Sequence, residues 1–136
     1  MSRATDLTPT RQAAQAALLT LLLFGAVMMA TALAGLQPSP PPDKLPIVAT
    51  SLAVGGAAFW LLAVKHRAAG HVSLLAALAW LPTVGVHKFL LEPHAVLLTP
   101  VLLVGTACLV VLVLTGLRLR PRKAGRGAPP MARTAP

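Results

Sequence analysis

AVLLTPVLLVGTACLVVLVLTGL, residues 95–117, carries no charged side chain in 23 positions. Its centre, LVVLVL (109–114), is rich in β-branched residues and would read as a strand in water. Length decides the other way. A helix needs about 20 apolar residues to cross ~30 Å of hydrocarbon, and this run supplies them. A lone strand in lipid would leave its backbone N–H and C=O groups unpaired, whereas a helix satisfies them within itself.

Three more segments meet the same criterion. The sequence predicts spans at 13–36, 45–64, 71–91 and 95–117, with residues 1–12 as a cytoplasmic N-terminal segment. The connectors are QPSPPPDK (37–44), KHRAAG (65–70) and EPH (92–94), and the first is too proline-rich to continue a helix. Connectors this short make sequential helices antiparallel neighbours. The expected fold is all-α: an integral membrane four-helix up-down-up-down bundle followed by a disordered basic tail, 118–136. Composition agrees. Of 136 residues, 56% are hydrophobic and only 11% charged, against about 25% charged in ordinary soluble domains.

Positive charge orients the bundle. Ten of the twelve Lys and Arg (Arg3, Arg11, Lys65, Arg67 and six from Arg118 to Arg133) fall on one side of it, and only Lys44 and Lys88 on the other. The positive-inside rule places both termini and the KHR loop in the cytoplasm of a bacterial-type inner membrane. Phe59 and Trp60 fall near the inner interface, and Trp80 at mid-depth between helices. Ala32-Leu33-Ala34 before Gly35 imitates a signal-peptide cleavage site. The 24-residue run ahead of it exceeds the usual ~7–15 of a signal core, so the first span is expected to be retained.

Small residues suggest how the helices meet. Ala26, Ala30 and Ala34 form a small-xxx-small stripe on the first span, and Ala49, Ala53 and Ala57, flanked by Gly55 and Gly56, form another on the second. Such stripes serve packing within a chain or between chains by letting backbones approach closely. Thr20, Thr31, Thr99 and Thr106 are expected to bond back to carbonyls of their own helices.

The most polar stretch between apolar runs is VGVHKFLLEPHAV (84–96). Glu92 and Pro93 read as a helix start. Lys88 pairs with Glu92 or snorkels to headgroups, and His94 caps the turn, so this outer cluster needs no function. His87 differs. It shares a helical stripe with Ser73, Trp80 and Thr83, and an ionisable group at that depth faces the bundle interior or a wet cavity. Pro82 and Pro100 would bend their helices near one level and open such a cavity. His87 is thus the one candidate cofactor or proton site, set against a plain role as a hydrogen-bonded structural histidine.

Other chemistry is poorly served. Zinc wants about four donors, and His87, Glu92 and His94 straddle a proline turn. His71 and His87 stand 16 residues apart, about 24 Å along a helix, so they cannot share one haem iron. The single cysteine, Cys108, excludes a disulfide within one chain. No nucleotide-binding glycine motif occurs. The first span lacks the acidic residue that small multidrug transporters use. The tail cations Arg118, Arg120, Arg122, Lys123, Arg126 and Arg133 follow a span directly, which points to anionic lipid rather than nucleic acid. No aromatic side chain in the tail could stack on bases.

The function expected is therefore a small multi-pass, non-enzymatic accessory or scaffold subunit, or a small homo-oligomer, with no metal or cofactor of its own. Its partners would be the bilayer, anionic headgroups and other membrane subunits or further copies of itself. Two rivals stand beside it: a small channel, holin-like pore or proton-coupled carrier with a cavity near His87, and a haem- or quinone-associated redox subunit of a larger complex.

Overall fold

The computed structural model describes residues 7–36, 40–84 and 95–120. They form four helices: α1 (Leu7–Leu33), α2 (Leu45–Ala63), α3 (Ala69–Val84) and α4 (Ala95–Leu119), with a 3-10 turn at Pro42–Lys44 leading into α2. Thr8–Leu33, Pro42–Ala63 and Thr99–Leu119 are each long and apolar enough to cross a membrane. The described part of α3 has 16 residues, about 24 Å of rise and short of a full crossing. The rest of the expected span at 71–91 lies outside the described residues.

The boundaries differ from the sequence reading where polar residues extend a helix. α1 begins at Leu7 and carries Arg11 and Gln12. Pro9 stands in its first turn, where a missing N–H costs nothing. At the other end of the chain, Arg118 and Leu119 belong to α4 rather than to a tail. A cation in the last turn is favoured by the helix dipole.

Two of the helices end in the same way. Past α1, the N–H of Leu36 donates to the carbonyl of Thr31 at 2.9 Å and that of Gly35 to Ala32 at 3.2 Å, with Gly35 at φ +65°. This is a Schellman cap. Ala34-Gly35, which imitates a cleavage site in sequence, is a helix C-terminus in the fold. Past α2, His66 donates to Leu61 at 3.0 Å and Lys65 to Leu62 at 3.2 Å, and here the left-handed residue is Lys65, at φ +55°. A side chain in that region costs roughly 1–2 kcal/mol that glycine avoids. Lys65→Gly is therefore expected to stabilise the protein by about 1 kcal/mol, read as a higher midpoint in thermal unfolding in detergent. An unchanged or lower midpoint would show that the lysine is held there by something other than the cap.

α1 packs on α2 and α4, and α3 packs on the same two helices. The contacts are built on small residues. Gly25 of α1 lies against Leu52 of α2, and Gly55 of α2 against Leu22. On the α3–α4 seam, Gly105 faces Val84 and Gly116 faces Gly70 and Leu74. A Cβ added at Gly116 would come within 2.9 Å of the Gly70 carbonyl oxygen, so these two backbones nearly touch. The core also holds Ala14, Ala17, Leu18, Leu21, Ala58, Leu62, Ala76, Ala77, Trp80 and Leu112.

The alanine stripes are not at these contacts. Ala26, Ala30 and Ala34 are exposed, and so are Ala49, Ala53 and Ala57. The buried face of α2 is Val48, Ser51, Gly55, Ala58 and Leu62 instead. Glycine permits a closer approach than alanine, and the helices meet where the glycines are. Large aliphatic residues such as Leu19, Leu23, Leu78, Leu103 and Val110 point outward.

Candidate functional site

Of the predicted stripe, the structure places Ser73 and Trp80 fully inside the bundle and leaves Thr83 half-buried. Ser73 Oγ donates to the Ala69 carbonyl one turn back, at 2.8 Å, so its hydroxyl is spent on its own helix. His87 lies outside the described residues, as do Lys88, Glu92 and His94. The tail residues Arg122, Lys123, Arg126 and Arg133 lie outside them too, while Arg118 and Arg120 are exposed at the end of α4.

Trp80 occupies the centre. Its exposure is 0%, and the indole reaches two other helices through gaps left by glycines. A Cβ at Gly25 would fall 2.5 Å from Trp80 Cη2, and one at Gly55 would fall 3.1 Å from Nε1. The ring therefore lies where α1 and α2 carry no side chains. Among the described residues its N–H has no acceptor, so shape holds it there, against a desolvation cost of about 1–3 kcal/mol for an unpaired buried donor.

Hydroxyl-to-carbonyl bonds tie the helices around this centre. Ser51 Oγ of α2 lies 2.7 Å from the Ala79 carbonyl of α3 and 2.9 Å from its own Ile47 carbonyl, so its one proton serves both or alternates. Pro82 has no N–H, so the carbonyl that it leaves without a ladder partner is that of Leu78, one residue before the one that Ser51 reaches. Thr106 Oγ1 of α4 donates to Val84 of α3 at 3.4 Å rather than to its own helix. Thr115 Oγ1 of α4 reaches the Thr10 carbonyl of α1 at 3.5 Å. Thr20 and Thr31 do bond within α1, to Ala16 and Met28, both at 3.0 Å.

A groove opens at Pro82, but its other wall is not Pro100. It is a cleft of about 350 Å³ between α2 and α3, lined by Pro46, Ile47, Thr50, Ser51, Ala79 and Pro82. Both hydroxyls there face helix carbonyls, Thr50 Oγ1 donating to Pro46 at 2.8 Å. The surface left to a ligand is apolar. Among the described residues, no three of His, Cys, Asp and Glu converge as metal ligands.

Sequence reasoning passed over Ser51 and Gly25, and took Gly55 only as a neighbour of the alanine stripe. Ser51 could have been found by pairing the proline inside α3 with a hydroxyl at the same level of the adjoining helix. The two glycines announce themselves only when the position of Trp80 is known.

No family model matches the chain, and neither the curated proteins nor the solved structures contain a match. The three long apolar helices are compatible with a membrane protein.

Proposed function

We propose that this chain is a four-span integral membrane protein, arranged up-down-up-down with both termini cytoplasmic in a bacterial-type inner membrane. It acts as a non-enzymatic accessory or scaffold subunit. The observation that carries the reading is the apolar outer surface. Leu18, Leu21, Leu62 and Leu112 share the interior with Trp80 and with small residues at the helix contacts, yet Leu, Val and Ile also cover much of the outside. Water would drive the large aliphatic groups inward. Lipid gives no such preference, and close backbone approach then governs association.

The scaffold role rests on two features of that arrangement. The centre of the bundle is filled by Trp80, Leu18, Leu21, Leu62 and Leu112, a packed interior of the kind that holds a shape. The outward stripes Ala26/Ala30/Ala34 and Ala49/Ala53/Ala57 leave two smooth helix faces on which another membrane helix can lie closely. Trp60, 66% exposed, suits the headgroup level on the cytoplasmic side.

One experiment tests placement and role together. In a Cys108→Ala background, cysteines at Ser39 and Glu92 should react with an impermeant maleimide in intact cells. A cysteine at His66, which is exposed, should react only after permeabilisation. Mild-detergent purification of the same chain should return it with another membrane subunit or as a defined oligomer. Labelling of position 66 from outside would reverse the orientation. Elution as a lone monomer would remove the scaffold role.

A further inference from the structure

Two contacts gather the cations that the sequence scatters. The Thr10–Thr115 approach brings the start of α1 to the end of α4. The Gly70 position packs against the backbone of Leu119 and Arg120, bringing the α2–α3 turn to the same place. Arg11, Lys65, Arg67, Arg118 and Arg120 therefore share one end of the bundle. Among the described residues no carboxylate joins them. Asp43 precedes α2 at its opposite end and is already paired with Lys44 at 3.2 Å.

Arg11 is the least comfortable member. Among the described residues its buried Nε has no acceptor. Arg118 lies one turn beyond Thr115 and Arg11 one residue beyond Thr10, so both arginines stand near the α1–α4 seam. A planar fork on each side is the arrangement that holds a phosphate, because each guanidinium can offer two parallel N–H donors.

We infer that Arg11 and Arg118 clamp the phosphate of an anionic phospholipid headgroup at the cytoplasmic end of the α1–α4 seam. The inference rests on the membrane placement proposed above. It differs from diffuse attraction to the tail because it names two residues and one position. Selection for an anionic headgroup follows from the rest of the cluster. A zwitterionic lipid carries the same phosphate diester, but its ammonium group would be pushed against Lys65, Arg67 and Arg120. The exposed indole of Trp60, near the same end, sets the depth at which phosphates lie.

The test is native mass spectrometry of the full chain from micelles holding equal phosphatidylglycerol and phosphatidylcholine. Phosphatidylglycerol adducts should dominate. Arg11→Gln and Arg118→Gln should each reduce them about tenfold, the ratio expected for one charge-assisted hydrogen bond. Lys123→Gln removes the same charge from the tail and should reduce them less than about twofold, as for an exposed, screened contact. Arg118 is exposed, so its variant decides between the outcomes if the Arg11 variant does not purify folded. Equal losses in all three variants, or adducts undiminished by Arg118→Gln, would overturn the clamp. So would displacement of the lipid by millimolar inorganic phosphate, which would mark a free-anion site. Extraction of the native chain from membranes by alkaline carbonate would instead sink the membrane placement itself.

Discussion

Trp80→Ala is expected to lower the free energy of unfolding by about 3–5 kcal/mol, the largest effect of any single truncation in the bundle. The indole is wholly buried, and two of its neighbours are glycines, Gly25 and Gly55, with no side chains to move into the space. The cavity would stay open or the helices would slide, and either outcome loses contacts on three helices. Titration with sodium dodecyl sulfate in mixed micelles, followed by far-ultraviolet circular dichroism, measures the change. Trp80→Phe should cost much less, about 1–2 kcal/mol, because the indole N–H donates to nothing and no hydrogen bond is lost with it. If the phenylalanine variant were as damaged as the alanine one, the N–H would have a partner after all. A cost below about 1 kcal/mol for alanine would mean that Trp80 is not central to packing.

Gly116→Val is expected to be nearly as severe, at about 3 kcal/mol or more, through overpacking rather than loss. A Cβ at this position would lie 2.5 Å from Leu74 Cγ and 2.9 Å from the Gly70 carbonyl oxygen. Leucine can change rotamer; a helix carbonyl cannot retreat without its helix. α3 and α4 would part, and the separation would also strain the Val84–Gly105 contact and the Thr106–Val84 hydrogen bond farther along the seam. Gly56 provides the control, since a Cβ there meets nothing within 4 Å. Gly56→Val should unfold within about 0.5 kcal/mol of the native chain in the same titration. Equal sensitivity at positions 56 and 116 would show that glycine matters for helix flexibility and not for the seam.

The number of helices and their all-α class were legible in the sequence, because both follow from run length and from the absence of charge. The helix faces were not. In a water-soluble bundle, periodicity tells which side is buried. Here apolar character is almost uniform around each helix, so hydrophobic patterning carries no direction. The alanine stripes looked like the natural interface and proved exposed, while glycines drawn from different helices supplied the contacts. Side-chain size was the usable signal, and size has meaning only once it is known which helix lies opposite.

The polar residues divide in the same way. Buried positions for Ser73 and Trp80 were foreseen from their helical offsets, which one helix determines by itself. Ser51 and Thr106 were not foreseen as links between helices, because a hydroxyl in an apolar helix bonds its own carbonyls unless a neighbour offers a looser one. Ser51 reaches the Ala79 carbonyl and Thr106 that of Val84, both on α3. Length and charge, written along the chain, determined that four helices form and which end carries the cations. Only the tertiary structure decided that Gly25 and Gly55 make room for Trp80, and that Thr10 meets Thr115. Those relations join residues between 25 and 105 positions apart, and such distances close only when α2 packs on α3 and α1 packs on α4.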